Sequence, residues 1–312
     1  MRRRLPLACA LIAAAASAVQ AEAGRTGAIT LSRPLGARAS ALADAFSAVP
    51  GGLDSLTYNP AGLAGLDHRQ VRTDYTRGIV DDSFSFLGFA QPLGRLTLAT
   101  GAAYYDAGTM SLNLSNGVRE TRKVEQDWVG LLGGAMKVGG GLSVGGLAKY
   151  YRLTLAQEAS ARGMAFDAGA LWRAPWRGLS FGAAVQNAGA AVKFEQEADP
   201  LPLTMRAGAA YELTMESSQS DQSVVAFHRF LFTADAIRTR DERTTAAAGI
   251  EMQMPLGGQN YGALRLGYMF NSDVDSVSLG LGWREGRFLF DYALGVKKAV
   301  GNAHHFSLGV RL

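Results

Sequence analysis

From about residue 69 to the C-terminus, apolar side chains recur at every second position, and that period decides what the chain can become. Phe288, Phe290, Tyr292, Leu294 and Val296 alternate with Leu289, Asp291, Ala293, Gly295 and Lys297. Phe306, Leu308, Val310 and Leu312 alternate with Ser307, Gly309 and Arg311. Successive side chains of a strand point to opposite faces, so each such segment has one greasy wall and one small or polar wall. Fourteen segments follow the rule: 69–77, 83–91, 95–105, 124–137, 141–155, 163–173, 178–187, 203–213, 225–238, 243–254, 260–271, 275–285, 287–297 and 303–312. Most have the ~9–11 residues of a tilted membrane strand, and an even number lets both chain ends lie on one side.

Tight turns at Pro92-Leu93-Gly94, Gly139-Gly140, Pro175 to Gly178, Pro255 to Gln259 and Glu285-Gly286 alternate with longer links, notably 106–123 and 188–202. Short turns at one end and long loops at the other are the pattern of a bacterial barrel. The link 214–224 breaks it, being long on the turn side. A soluble β-sandwich also alternates, but usually divides into domains of ~100 residues. Here the pattern is uniform and its polar face is rich in Gly and Ala. The expected fold is all-β, a 14-stranded antiparallel transmembrane β-barrel with an N-terminal hatch or plug segment.

The first residues read as a secretory signal: Arg2-Arg3-Arg4, an Ala-rich apolar run from Leu5 to Val19, and small residues at Val19 and Ala21 before a cut ahead of Glu22. The cut removes three of the 31 Lys+Arg, leaving 28 against 27 Asp+Glu, a balance that makes no case for nucleic acid. It also removes the only cysteine, Cys9, and with it disulfides and thiol chemistry. The domains are therefore 1–21 as signal peptide, 22–66 as hatch and 67–312 as barrel, located in the bacterial outer membrane.

Residues 22–66 do not alternate. Gly36 to Phe46 is Ala-rich and suits a short helix, and Asn59-Pro60 is a turn-forming pair. Small residues with one large aromatic, Phe46, suit a segment folded inside a narrow enclosure. The motifs Gly36-Ala37-Arg38-Ala39, Asp44-Ala45-Phe46 and Tyr58-Asn59-Pro60-Ala61-Gly62-Leu63 resemble the N-terminal signature of the PorV/PorQ family, itself related to FadL-type channels. So do Gly182 to Gly189, Pro200 to Gly208 and His304 to Val310, so the likeness spans nearly the whole mature chain. The resemblance implies a fourteen-stranded barrel whose hatch carries Arg38, Asp44, Phe46, Asn59, Pro60 and Ala61. In the PorV branch such a barrel is a protein-binding accessory of secretion, receiving exported cargo. In FadL-type relatives hydrophobic ligands pass through the wall at a strand kink, which would fall here near Gly101 or Gly108. A structural barrel without transport is a third reading.

On the alternation, lumen-facing charges include Lys149, Asp167, Arg173, Arg206, Glu212, Asp235, Glu251, Arg265, Arg284, Asp291, Lys297 and Arg311. Both signs occur, which favours cross-linking by ion pairs over a one-sign filter, with Arg38 and Asp44 as docking groups of the hatch. Trp128, Trp172, Trp176, Trp283 and the pairs Tyr104-Tyr105 and Tyr150-Tyr151 lie toward strand ends, as interfacial girdles do. Two G-x-S-x-G matches, at Gly141 to Gly145 and Gly178 to Gly182, open strands after hairpin turns and lack the strand–turn–helix of a nucleophile elbow. His304 and His305 point to opposite faces and do not make a joint metal site. The sequence thus predicts no catalysis, metal or cofactor. The expected partners are outer-membrane lipid, secretion-machinery or cargo proteins, and a hydrophobic ligand.

Overall fold

A computed structural model describes residues 26–78, 81–113, 119–194, 198–215, 228–258, 260–272, 276–297 and 301–312. The strands are β1 (Gln70–Arg77), β2 (Ser83–Leu93), β3 (Leu96–Asp106), β4 (Thr109–Asn113), β5 (Arg119–Lys123), β6 (Glu125–Gly139), β7 (Leu142–Leu155), β8 (Ala159–Arg173) and β9 (Leu179–Gly189). They continue with β10 (Val192–Lys193), β11 (Ala198–Asp199), β12 (Thr204–Thr214), β13 (Arg229–Thr239), β14 (Thr245–Pro255), β15 (Tyr261–Phe270), β16 (Ser276–Glu285), β17 (Phe288–Lys297) and β18 (Gly301–Arg311). Fourteen of them form one closed antiparallel barrel. β4–β5 and β10–β11 are separate hairpins within the two long links. The barrel closes where β1 meets β18, from Gln70 opposite Arg311 to Arg77 opposite His304. Closure leaves no unpaired edge, the condition a sheet must meet to cross hydrocarbon.

The chain enters β1 and leaves β18 at the same end, which also carries the tight turns. Gly94 and Gly286 sit there with φ of 69° and 55°, the left-handed region that tight hairpins need and glycine adopts at no steric cost. The link between β12 and β13 joins at this end too, and its residues 216–227, including most of 214–224, lie outside the described residues. Residues 1–21 lie outside them as well.

The outward positions are apolar. Leu87, Leu132, Leu281 and Leu308 are each more than half exposed. Trp172, Trp176, Trp283 and Phe288 ring the turn end, and Trp128, Tyr150 and Phe270 the loop end. An apolar band between aromatic rings is a lipid-facing surface. The girdle expectation fails for Tyr105 and Tyr151, which are buried inside the barrel. Each follows another tyrosine directly, and neighbours on one strand cannot share a face. Placing arginine at Leu132, in the middle of the band, is expected to cost ~2–4 kcal/mol. Equilibrium refolding of Leu132→Arg into lipid bilayers measures it.

The lumen is filled by the chain's own N-terminus. Here lie α1 (Ala37–Ala41) and 3₁₀ turns at Ile29–Ser32, Leu53–Thr57 and Pro60–Gly65. Ala37, Ala39, Ala41, Leu42, Ala45 and Phe46 are fully buried. α1 packs on β15–β18, and the Pro60–Gly65 turn on β6, β7 and β8. Glycines on the inner wall make the approach possible. A Cβ at Gly145 would lie 2.5 Å from the Ala61 nitrogen, and one at Gly182 would overlap the Ser47 carbonyl oxygen.

The interior is divided by chemistry. Along β2, β3 and β6–β8, inward residues such as Phe84, Tyr105, Leu131, Tyr151 and Leu153 join Leu31, Leu35, Leu56 and Leu63 of the plug in one apolar cluster. Val192 and Leu201 extend that cluster into the long loop at the far end. Along β1 and β12–β18 the inward face carries most of the charges, while Asp127 on β6, Lys149 on β7 and Asp167 on β8 are buried charges on the other side.

Candidate functional site

The charged half of the lumen holds the plug by pairing its polar atoms with inward side chains of the wall. Glu251 on β14 is the centre of the first anchor. It accepts both Nε and Nη2 of Arg38, each at 2.8 Å, in a two-point fork. It also accepts Arg265 Nε at 2.6 Å and Gln253 Nε2 at 2.8 Å. Arg265 reaches on to Asp291 at 2.8 Å. Glu251 and Arg265 are directly opposite on β14 and β15. Such forked, charge-assisted bonds combine strength with fixed geometry.

The second anchor is Asp235 on β13. One of its oxygens accepts the backbone N–H of Phe46 at 3.1 Å, that of Ser47 at 3.0 Å and the Ser47 hydroxyl at 2.5 Å. Arg206 lies 3.5 Å from the same oxygen, donates to Ser47 Oγ at 3.2 Å and bonds the Asp44 carbonyl. The Asp44 carboxylate accepts the Tyr58 hydroxyl at 2.7 Å within the plug. Burial, reinforced by Asp44, pushes the Tyr58 phenol well above its usual range, so it stays a proton donor.

The third anchor was not singled out in the sequence. Arg72 on β1 pairs with Asp54 of the plug and, at 2.7 Å, with Asp74 of its own strand. It also donates at 2.9 Å to Ser307, whose hydroxyl accepts the Ala37 N–H at 2.8 Å. Arg72 and Asp74 alternate with Val71, Thr73 and Tyr75, so the period that assigned the other lumen charges places them inward too.

Asn59 ties the apolar side. Its amide donates to the carbonyls of Ser47 at 2.7 Å and Ala170 on β8 at 2.9 Å. Its oxygen accepts the Ala61 N–H at 3.1 Å, capping the 3₁₀ turn that Pro60 opens. Replacing Asn59 by Ala removes its bonds to the Ser47 and Ala170 carbonyls and to the Ala61 amide, at an expected cost of about 1–3 kcal/mol. Faster amide hydrogen exchange over residues 60–65 measures it.

The remaining predicted residues fall elsewhere. Glu212 pairs with Arg229 near the turn end. Arg284 and Arg311 line a cavity of about 290 Å³ at that end. Lys297 closes β17, but its side chain lies outside the described residues. A second cavity, about 360 Å³, opens at the loop end beside Tyr58, Arg206 and Thr239.

Among the described residues, no wall interruption lies near Gly101 or Gly108. Gly101 sits within unbroken pairing, opposite Gly88 on β2 and Leu131 on β6, and Gly108 lies beyond the end of β3. An irregularity occurs instead between β8 and β9, where the register shifts across Phe166 and Ala168. There Asn187, at φ 59°, donates its N–H to Asp167 at 2.7 Å. Lys149 reaches Asn187 at 2.6 Å and Asp167 at 2.8 Å, so buried charge backs the bulge. Ser180, from one of the G-x-S-x-G matches, donates to the Ala48 carbonyl of the plug at 2.7 Å.

No family model matches the sequence, and no curated protein matches it either. Among solved structures, the Ralstonia pickettii toluene transporter TbuX is similar over 89% of this chain and 98% of its own, with a TM-score of 0.60 and 15% identity. The CymD monoaromatic hydrocarbon channel gives 0.60 at 12% identity, covering 89% of this chain and 97% of its own. A Pseudomonas aeruginosa FadL homologue gives 0.51 at 12% identity, over 88% and 97% of the two chains. At these identities the likeness is one of fold: a FadL-like closed barrel.

Proposed function

We infer that this chain is an outer-membrane barrel that admits small hydrophobic molecules, and that the plugged form is its closed state. The observation that carries the reading is the apolar half of the lumen, continuous from Val192 and Leu201 at the loop end to Leu63 and Leu66 of the plug. A lumen that only held a plug by ion pairs would have no need of that face. The fold shared with hydrocarbon channels supports the same ligand class, and residues 1–21 supply the export signal such a location requires. Passage needs Leu31 and Leu35 to withdraw, because they occupy the apolar side themselves. Proteoliposomes holding the purified protein should accumulate radiolabelled toluene faster than empty liposomes. Equal rates would overturn the reading.

A second reading, a PorV/PorQ-like accessory that binds exported proteins, is supported by the motif resemblance and by the density of plug anchors at Glu251, Asp235 and Arg72. A barrel that never opens can afford a plug held that firmly. On this reading native pull-downs recover large envelope or secreted proteins, and toluene uptake stays at background.

A further inference from the structure

On the outer surface of the barrel, near its loop end, two arginines stand directly opposite each other. Arg152 on β7 is in register with Arg162 on β8, and both are exposed. Arg152 lies between Tyr151 and Leu153, which are buried in the lumen, and Arg162 follows buried Ala161. Strand alternation therefore sends both guanidinium groups outward. Like charges directly opposite on neighbouring strands repel and cost stability. Two other arginines facing outward at this end are answered: Arg77 pairs with Asp81 at 3.9 Å, and Arg238 donates to the Thr244 hydroxyl at 3.2 Å. Arg152 and Arg162 make no ion pair or side-chain hydrogen bond among the described residues. The outward positions of β6, β7 and β8 include no carboxylate. Two acids at the rim are held elsewhere, Glu158 by Arg122 and Asp106 by Lys123 at 2.7 Å.

Register also fixes the depth of the pair. Trp128 on β6 is directly opposite Arg152, and its ring packs on Tyr104 with centroids 4.6 Å apart. One pleat toward the middle of the barrel, Tyr150 is opposite Met164. One pleat further, Ala148 lies between Leu132 and Phe166. Tyr150, Met164, Phe166 and Leu132 are each at least half exposed. The arginines thus stand at the level of the loop-end aromatic ring, with apolar surface directly beneath them. In a bacterial barrel the long loops face outward, so this is the headgroup level of the outer leaflet.

We propose that Arg152 and Arg162 bind the phosphate of an anionic lipid in the outer leaflet, its acyl chains running down over Tyr150, Met164 and Phe166. Guanidinium groups meet phosphate oxygens with paired N–H donors, and an anion between them removes their mutual repulsion. The apolar strip below favours a phosphate carried on chains over a free ion, because the chains bury apolar area at the same site. The inference rests on the barrel's place in a membrane and not on hydrophobic uptake: a barrel that passes no toluene would still hold the lipid.

The test is native mass spectrometry of the full-length protein, released from non-ionic detergent after titration with phosphatidic acid or phosphatidylcholine. The wild type should retain phosphatidic acid at least ~10-fold more tightly than phosphatidylcholine, the scale of one charge-assisted contact. Arg152→Gln and Arg162→Gln should each lose most of that preference. Arg238→Gln, outward at the same end but further round the barrel on β13, should keep it. Arg162→Glu gives Arg152 a carboxylate directly across the strand pair. Its thermal unfolding midpoint should not fall below that of the wild type while the lipid preference disappears, which separates a lost site from a damaged fold. Equal retention of the two lipids by the wild type would overturn the proposal. So would retention of phosphatidic acid undiminished in both glutamine variants. Displacement of the lipid by millimolar inorganic phosphate would overturn the lipid as occupant and mark a site for the free ion.

Discussion

Glu251→Ala is expected to destabilise the protein by about 3–5 kcal/mol, the cost of removing one partner of a buried charge cluster. Glu251 is 1% exposed, and its loss leaves the guanidinium of Arg38 with no carboxylate and that of Arg265 with only Asp291. The penalty comes from cations held out of water without compensation, more than from a lost attraction. It should therefore shrink when Arg38 is also replaced by a residue of similar length without charge, such as Met. Denaturant unfolding in detergent gives both numbers. A loss under ~1 kcal/mol for Glu251→Ala would mean that the anchor is solvated and carries little of the plug's hold.

The second large effect is steric. A side chain at Gly182 would overlap the carbonyl oxygen of Ser47, a residue pinned from the other side by Asp235. The plug backbone has nowhere to retreat without breaking that anchor, so Gly182→Val should unseat it. Overpacking of this kind costs roughly 1–3 kcal/mol where the structure can relax. Here the relaxation is the displacement of the plug itself. Limited proteolysis should cut within residues 26–66 of the variant under conditions that leave the wild type whole. Gly130→Val is the control: a Cβ there meets nothing nearer than 3.9 Å, so the segment should stay protected. If Gly182→Val remains as resistant as Gly130→Val, the plug does not press on the wall as described.

The barrel was legible in the sequence because its signal is a property of the strand backbone. Period two over Phe288 to Val296 or Phe306 to Leu312 admits one face assignment, and every barrel strand overlaps a segment of that kind. The hairpins β4–β5 and β10–β11 were not legible, since strands of two to five residues outside the barrel carry no alternation to read. Tyr104-Tyr105 shows a different limit: aromatic type suggested a girdle, while position on the strand sends the second ring inward. For the plug, small residues announced confinement. The partners did not follow, because Glu251 meets Arg265 through hairpin register but meets Arg38 through the path of an irregular segment. Arg72 and Asp74 carried the needed period, but their ion pair with Asp54 depends on that path as well.

A reversible tether of the plug tests the account most directly. With Ala41 and Gly280 both replaced by cysteine in a chain lacking Cys9, the two Cβ positions fall closer than the ~3.5–4.5 Å of a disulfide, so a small shift of α1 lets the bond form. Toluene uptake by proteoliposomes is then measured oxidised and reduced. Uptake that falls to the empty-liposome rate on oxidation and returns with reductant is the predicted result. Uptake that proceeds unchanged while the plug is locked would contradict the account.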